Sequence, residues 1–254
     1  MCYDDNARPP VPPNEGGSAR GEDIVLRAAD GNSFSAYVAH PAQPKNAQII
    51  IYPDIRGLHQ FYKDLALRFA EMGISAVAID YFGRTAGLTA RDDSFEFWPH
   101  VQQMQITNLF ADVNAALDYL RANGGKDRST FIVGFCMGGS LSLLTATEDF
   151  GLAGVIAFYA GLSRDFGGAG TVLDRAGAVK YPVLGLFGGA DQGIPQEQVK
   201  ELDQKLGAAG IEREITIYPG APHSFFDRRA VDFAEASTDA WKRIIDFITA
   251  HTVK

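Results

Sequence analysis

Thr130-Phe131-Ile132-Val133-Gly134-Phe135-Cys136-Met137-Gly138-Gly139-Ser140-Leu141-Ser142-Leu143 decides how the rest of the chain is read. Phe131 to Val133 is a short β-branched and aromatic run that suits a buried strand, and Leu141 onward opens the apolar stripe of a helix. Between them, glycines at 134, 138 and 139 remove Cβ atoms where strand, turn and helix crowd together, so residue 136 can adopt a strained backbone conformation at the tip. The pattern is G-x-S-x-G with cysteine in the serine position, a sharp strand-to-helix turn that presents a nucleophile. Taken alone, the turn also fits a small buried cysteine in a glycine-rich bend.

Working outward, short apolar runs alternate with longer helical patterns. Ala47 to Tyr52, Ile74 to Ile79, Gly154 to Tyr159, Val183 to Phe187 and Glu214 to Tyr218 read as strands. Helices are predicted over Phe61 to Met72, Val101 to Ala122 (stopping at Asn123-Gly124-Gly125), Pro195 to Leu206, and a closing stretch with Trp241, Ile244, Ile245 and Ile248 on one face. Ahead of these, Glu22 to Arg27 and Ser33 to His40 flank the turn residues Ala29-Asp30-Gly31-Asn32 as an antiparallel hairpin. Residues 1–20, rich in Pro, Gly and charge, read as an extended arm; 21–254 reads as one domain. The fold class is α/β, a mostly parallel central sheet with helices on both faces, whose chemistry is expected at the carboxyl ends of the strands.

Composition bounds the function. The chain has 254 residues, is 46% apolar and carries a net charge of -8. With no cluster of Lys and Arg, a nucleic-acid surface is not expected. The start has neither a basic n-region nor an apolar h-region, and no apolar run approaches membrane-spanning length, so a cytoplasmic location is expected. Of the two cysteines, Cys2 lies in a polar tail and Cys136 at the turn, with nothing to suggest that they pair. No His/Cys/Asp/Glu cluster has metal-ligand spacing and no G-x-G-x-x-G opens a helix after the first strand, so neither metal nor nucleotide cofactor is implied.

Three post-strand residues carry the chemistry. Cys136 follows its strand; Asp191 follows Val183 to Phe187 within Gly188-Gly189-Ala190-Asp191-Gln192-Gly193; His223 follows Glu214 to Tyr218 within Pro222-His223-Ser224-Phe225. A lone Asp there would be a turn residue and a lone His a loop residue. The order nucleophile, acid, histidine is that of α/β-hydrolase triads. A thiol becomes a competent nucleophile when a helix N-terminus and a nearby imidazole stabilise its anion, while Asp191 would fix the imidazole tautomer.

With these motifs the chain resembles the dienelactone hydrolase family of α/β-hydrolases from about residue 22 to the C-terminus. The most specific parts are Gly134-Phe135-Cys136-Met137-Gly138-Gly139, Gly189-Ala190-Asp191, Pro222-His223-Ser224-Phe225 and the loop Tyr52-Pro53-Asp54-Ile55-Arg56-Gly57. The resemblance implies a Cys136-His223-Asp191 triad and an oxyanion hole from the Ile55 and Met137 amides. It also implies an acidic gate on the resting thiol, here Asp54 where family members typically carry Glu. The implied activity is hydrolysis of a small lactone or carboxylic ester through a thioester, as a monomer or small homo-oligomer. A broad aryl-ester or phosphotriester hydrolase, and a non-catalytic ligand-binding receptor on the same scaffold, are the alternatives.

Substrate selection is the open region. Family members that take carboxylate-bearing lactones place an arginine four residues beyond the histidine; this chain has Asp227 there, followed by Arg228 and Arg229. A carboxylate would repel an anionic substrate unless Arg228 substitutes. Candidate substrate contacts are Arg228, Phe225, and, from the segment Tyr81 to Met104, Arg84, Arg91, Phe97 and Trp98. Phe97 and Trp98 suit a pocket wall and a core cap equally.

Overall fold

In the computed structural model, which describes residues 6–13 and 16–253, eight strands form one sheet in the order β1-β2-β4-β3-β5-β6-β7-β8. They are β1 Ala19–Arg27, β2 Ser33–Pro41, β3 Ala47–Tyr52, β4 Ser75–Ile79, β5 Ser129–Phe135, β6 Gly154–Phe158, β7 Val183–Gly188 and β8 Arg213–Tyr218. The β1–β2 and β2–β4 pairings are antiparallel, and every pairing from β4 through β3 to β8 is parallel. The strands expected from the apolar runs are therefore present, and β3 to β7 are buried along their whole length. Burial on both faces is why these strands read as continuous apolar runs rather than alternating ones.

The helices are α1 Gln60–Glu71, α2 Gly83–Ala86, α3 Trp98–Gln102, α4 Ile106–Leu120, α5 Met137–Thr145, α6 Val172–Arg175, α7 Gln196–Ala208 and α8 Ala234–His251. The single helix expected over Val101 to Ala122 is instead two, α3 and α4, separated by an extended Gln105 (φ -122, ψ 125). Val101 and Ile106 are both buried. Five residues of continuous helix would set them about 140° apart. The break turns both side chains into the core. Downstream, Gly124 (φ 101) ends the helical run in the left-handed region, as the Asn123-Gly124-Gly125 stop implied.

The described part of the arm lies along the body. The Pro10 carbonyl accepts from the indole of Trp241 at 2.9 Å, and Gly17 N–H donates to the Glu71 carbonyl at 2.7 Å, which ties the arm to α8 and α1. Cys2 falls outside the described residues. Among the described residues no helix is long and apolar enough to cross a membrane.

The parallel strands bring the segments that begin at Pro53, Asp80, Cys136, Tyr159, Gly189 and Pro219 to one edge of the sheet. The amino-terminal edge is different. There an open cavity of about 810 Å³ is lined by Ala47, Ile74, Ile245, Ile248 and neighbouring residues, with no cysteine or histidine among them.

Candidate active site

Cys136 sits at φ 55, ψ -115, between β5 and the first turn of α5. A non-glycine residue in that region costs on the order of 1–3 kcal/mol and persists only where its surroundings over-determine it. Here β5 is held by β3 on one side (Tyr52 beside Gly134) and β6 on the other (Phe135 beside Phe158), and Cys136 N–H donates to the Phe158 carbonyl at 3.0 Å. A Cβ on Gly134 would strike the Gly138 carbonyl, and one on Gly138 would strike the Pro53 and Tyr52 carbonyls. These glycines let the elbow close and bring the start of α5 against the 53–57 loop. The thiol residue itself is partly exposed.

Ile55, half-buried, lies in that loop, and Met137 is the first residue of α5, where a backbone N–H has no partner within the helix. The Tyr81 hydroxyl donates to the Pro53 carbonyl and holds the loop from below. Asp54 is fully buried, and one of its oxygens accepts from the Arg56 N–H at 2.9 Å. Burial, followed by the charges of Tyr52, Asp54, Asp80 and Cys136, pushes the Tyr81 phenol well above its ordinary value. The guanidinium of Arg56, itself buried, reaches Asp93 at 2.5 Å.

Asp191 and His223 meet across the ends of β7 and β8. His223 Nδ1 lies 2.6 Å from Asp191 Oδ2, and the other Asp191 oxygen accepts from Gly193 N–H at 2.8 Å. The Asp191 side chain is only 2% exposed and that of His223 33%. A carboxylate on Nδ1 selects the tautomer with its proton there, which leaves Nε2 as the basic nitrogen. The His223 ring also lies against Tyr159, the residue after β6, with centroids 4.8 Å apart. Tyr159 in turn contacts Phe135 at the end of the cysteine strand (6.3 Å).

The expected substrate contacts fare unevenly. Arg84 is engaged by Asp30 (2.7 Å), Asp112 (2.8 Å) and the Asn108 carbonyl (3.2 Å). Arg91, buried, pairs with Asp80 at 2.8 Å and donates to the Gly87 and Thr89 carbonyls. Both arginines bind the fold together, which corrects the expectation that they face substrate. Phe225 is fully buried among Phe158, Tyr159 and Tyr218, a core position and not a pocket contact. Arg228 is exposed, and Trp98 is 53% exposed, against Phe97 and beneath Arg164.

Asp227 also differs from expectation. It is 2% exposed, accepts from the Tyr159 hydroxyl at 2.8 Å and from the Arg228 N–H, and burial followed by the Asp54 charge pushes its carboxyl well above the usual range. Burial that disfavours the carboxylate weakens the repulsion that its position suggested. Tyr159 and this role of Asp227 were the residues sequence reasoning missed. The one available signal was a tyrosine closing the predicted strand Gly154 to Tyr159; the structure ends that strand at Phe158.

A strained cysteine turn after a central strand, with an Asp–His pair delivered by two later strands of a mostly parallel sheet, fits an α/β-hydrolase. The dienelactone hydrolase family model matches residues 34–252, and the chain belongs to that family. A Yersinia pestis protein named "Putative carboxymethylenebutenolidase" is 30% identical over 235 residues, covering 89% of this chain and 86% of its own. The "Carboxymethylenebutenolidase" of Pseudomonas putida is 27% identical over 236 residues, covering 89% and 95%. Among solved structures, the "Putative Dienelactone Hydrolase" of Klebsiella pneumoniae superposes with a TM-score of 0.80 at 26% identity, covering 92% of this chain and 99% of that one. The protein is accordingly a hydrolase acting on esters or lactones.

Proposed function

We propose that the protein hydrolyses a small lactone or carboxylic ester with Cys136 as nucleophile, His223 as proton carrier and Asp191 as its orienting acid. The observation that carries this reading is the 2.6 Å Asp191–His223 bond, at the same carboxyl edge of the sheet as the strained Cys136. His223 Nε2 takes the proton of the Cys136 thiol as the sulfur adds to the carbonyl carbon, and the developing oxyanion is taken by the Ile55 and Met137 amides, a contribution of about 3 kcal/mol per donor in comparable sites. Collapse expels the alkoxide, which takes a proton from His223 Nε2, and leaves a thioester on Cys136. Water, deprotonated by the same nitrogen, then cleaves the thioester and returns the thiol. In a lactone the expelled alkoxide remains tethered to the acyl group.

Asp54 is the candidate gate on the resting thiol, though one methylene shorter than the family's usual Glu. On the substrate side, no arginine occupies position 227 and the two expected from the 81–104 segment are engaged elsewhere. That favours uncharged esters, aryl esters included, over carboxylate-bearing lactones. Steady-state rates on p-nitrophenyl acetate and on a dienelactone test this preference, and faster lactone turnover would reverse it. For the mechanism, Cys136→Ala is expected to lower kcat by about 10³-fold or more. Rapid quenching with a slow ester should add one acyl mass to Cys136; full activity after stoichiometric alkylation of Cys136 would refute the thiol mechanism and favour a binding role for the cysteine.

A further inference from the structure

The hydrogen bond from Asp191 at Nδ1 fixes that edge of the His223 imidazole and its tautomer, while the direction of Nε2 depends also on the plane of the ring. The ring of Tyr159 lies against that plane, 4.8 Å away and inclined at 55°.

Tyr159 is itself held in an unusual way. It is fully buried, with φ at 33, a region that costs a tyrosine on the order of 1–3 kcal/mol. Two bonds oppose that cost: its N–H donates to the Leu186 carbonyl at 2.8 Å, and its hydroxyl donates to Asp227 Oδ2 at 2.8 Å. Asp227 is braced in turn by the Arg228 N–H and by the turn in which its own N–H donates to the Ser224 carbonyl at 3.3 Å. Ser224, next to His223, is also left-handed at φ 63. The turn that carries the histidine and the tyrosine that faces it are thus joined through one buried carboxyl. Packing alone would be served by phenylalanine and an apolar partner, without the cost of burying an acid.

We propose that Asp227 is a positioning residue for His223, acting through the Tyr159 ring to fix the imidazole plane. The inference rests on the reading of His223 as the proton carrier. The ionisable groups that act on Asp227 are consistent with it. Asp54, on the loop after β3, opposes its charge; His223 and the Tyr159 hydroxyl favour it; burial outweighs both and holds it towards the neutral acid. A carboxyl whose ionisation is disfavoured competes less with Asp191 for the imidazolium.

The test uses p-nitrophenyl acetate with Tyr159→Phe, Asp227→Ala, Asp227→Asn and the Tyr159→Phe/Asp227→Ala double variant. Tyr159→Phe and Asp227→Ala are each expected to lower kcat by about 10-fold with KM little changed, since small misplacements of a reacting group carry penalties of this size. Both should move the acid limb of the kcat/KM pH profile in the same direction. The double variant should be no worse than the poorer single, because the two residues act in series. Asp227→Asn, whose amide oxygen can accept the same bond, should restore most of the loss.

Multiplying effects, an unmoved pH profile, or a lower Tm with unchanged kcat would overturn the proposal. If Asp227→Ala does not fold, an unchanged kcat in Tyr159→Phe overturns it by itself. Loss of activity in Cys136→Ala is read separately, so the thiol mechanism can stand while this inference fails.

Discussion

Two regions at the same edge of the sheet were rich in chemistry-bearing residues: the Cys136–Asp191–His223 face, and the 81–104 segment with its arginines and aromatics. They use charge in opposite ways. On the first, left-handed backbone at Cys136 and Ser224 sets the cysteine and the histidine at partly open positions, and Asp191 meets His223 at Nδ1. On the second, each guanidinium that was a candidate for substrate is consumed by carboxylates of the fold, Arg84 by Asp30 and Asp112, Arg91 by Asp80. An arginine after a strand therefore says little until its partners are known, whereas a nucleophile on a strained turn says a great deal.

The comparison can be broken from either side. The largest effect is expected on the first face: Asp191→Asn keeps the shape but loses the tautomer preference, and kcat should fall by about 10³–10⁴-fold with Tm little changed. Steady-state kinetics beside a thermal melt decide it, and a mainly thermal effect would erase the distinction. The mirror image is Arg91→Ala. Removing one partner of a pair whose side chains are 2% and 1% exposed leaves a buried carboxylate uncompensated, which should cost about 3–5 kcal/mol of stability. The activity per folded molecule should stay within about threefold if the role is structural. A selective loss of kcat at unchanged Tm would return Arg91 to the substrate side.

A smaller effect sharpens the boundary between the regions. His59, buried at the start of α1 just beyond the 53–57 loop, is held down to about 4 by burial, against the charges of Asp93 and Asp92. Its folded value lies below the unfolded one, so the unfolded chain takes up the proton first as pH falls. Stability should decline from about pH 6.5 to about pH 4 and then level, by about 3 kcal/mol in all from this group. His59→Asn should flatten that part of a denaturant-midpoint profile, and an unchanged slope would assign the acid sensitivity to other groups.

Much of the fold was legible because buried parallel strands are written as apolar runs and the elbow glycines sit where any Cβ would collide. The candidate triad could be named for a related reason, since each member follows a strand and their order matches one fold. The break between α3 and α4 was not legible, because Val101 and Ile106 each fit a helical stripe locally and only the shared core requires both to face inward. The arginines failed for want of partners. Arg56 finds Asp93, Arg84 finds Asp112 and Arg91 finds Asp80, pairings between segments that the chain order does not single out.

What the amino-acid sequence determined by itself was the sheet, the strained cysteine turn and the candidate Asp191 and His223 that follow later strands, because periodicity and glycine placement are local properties. What only the tertiary structure decided was charge and orientation. Asp227 is an exposed acid by its residue type, yet the fold buries it against the Tyr159 hydroxyl, where burial and the Asp54 charge disfavour its ionisation. Tyr159 is one tyrosine among nine until the end of β6 lays its ring against His223. Solvation and the field of distant groups exist only in the folded state, so neither property could be read along the chain.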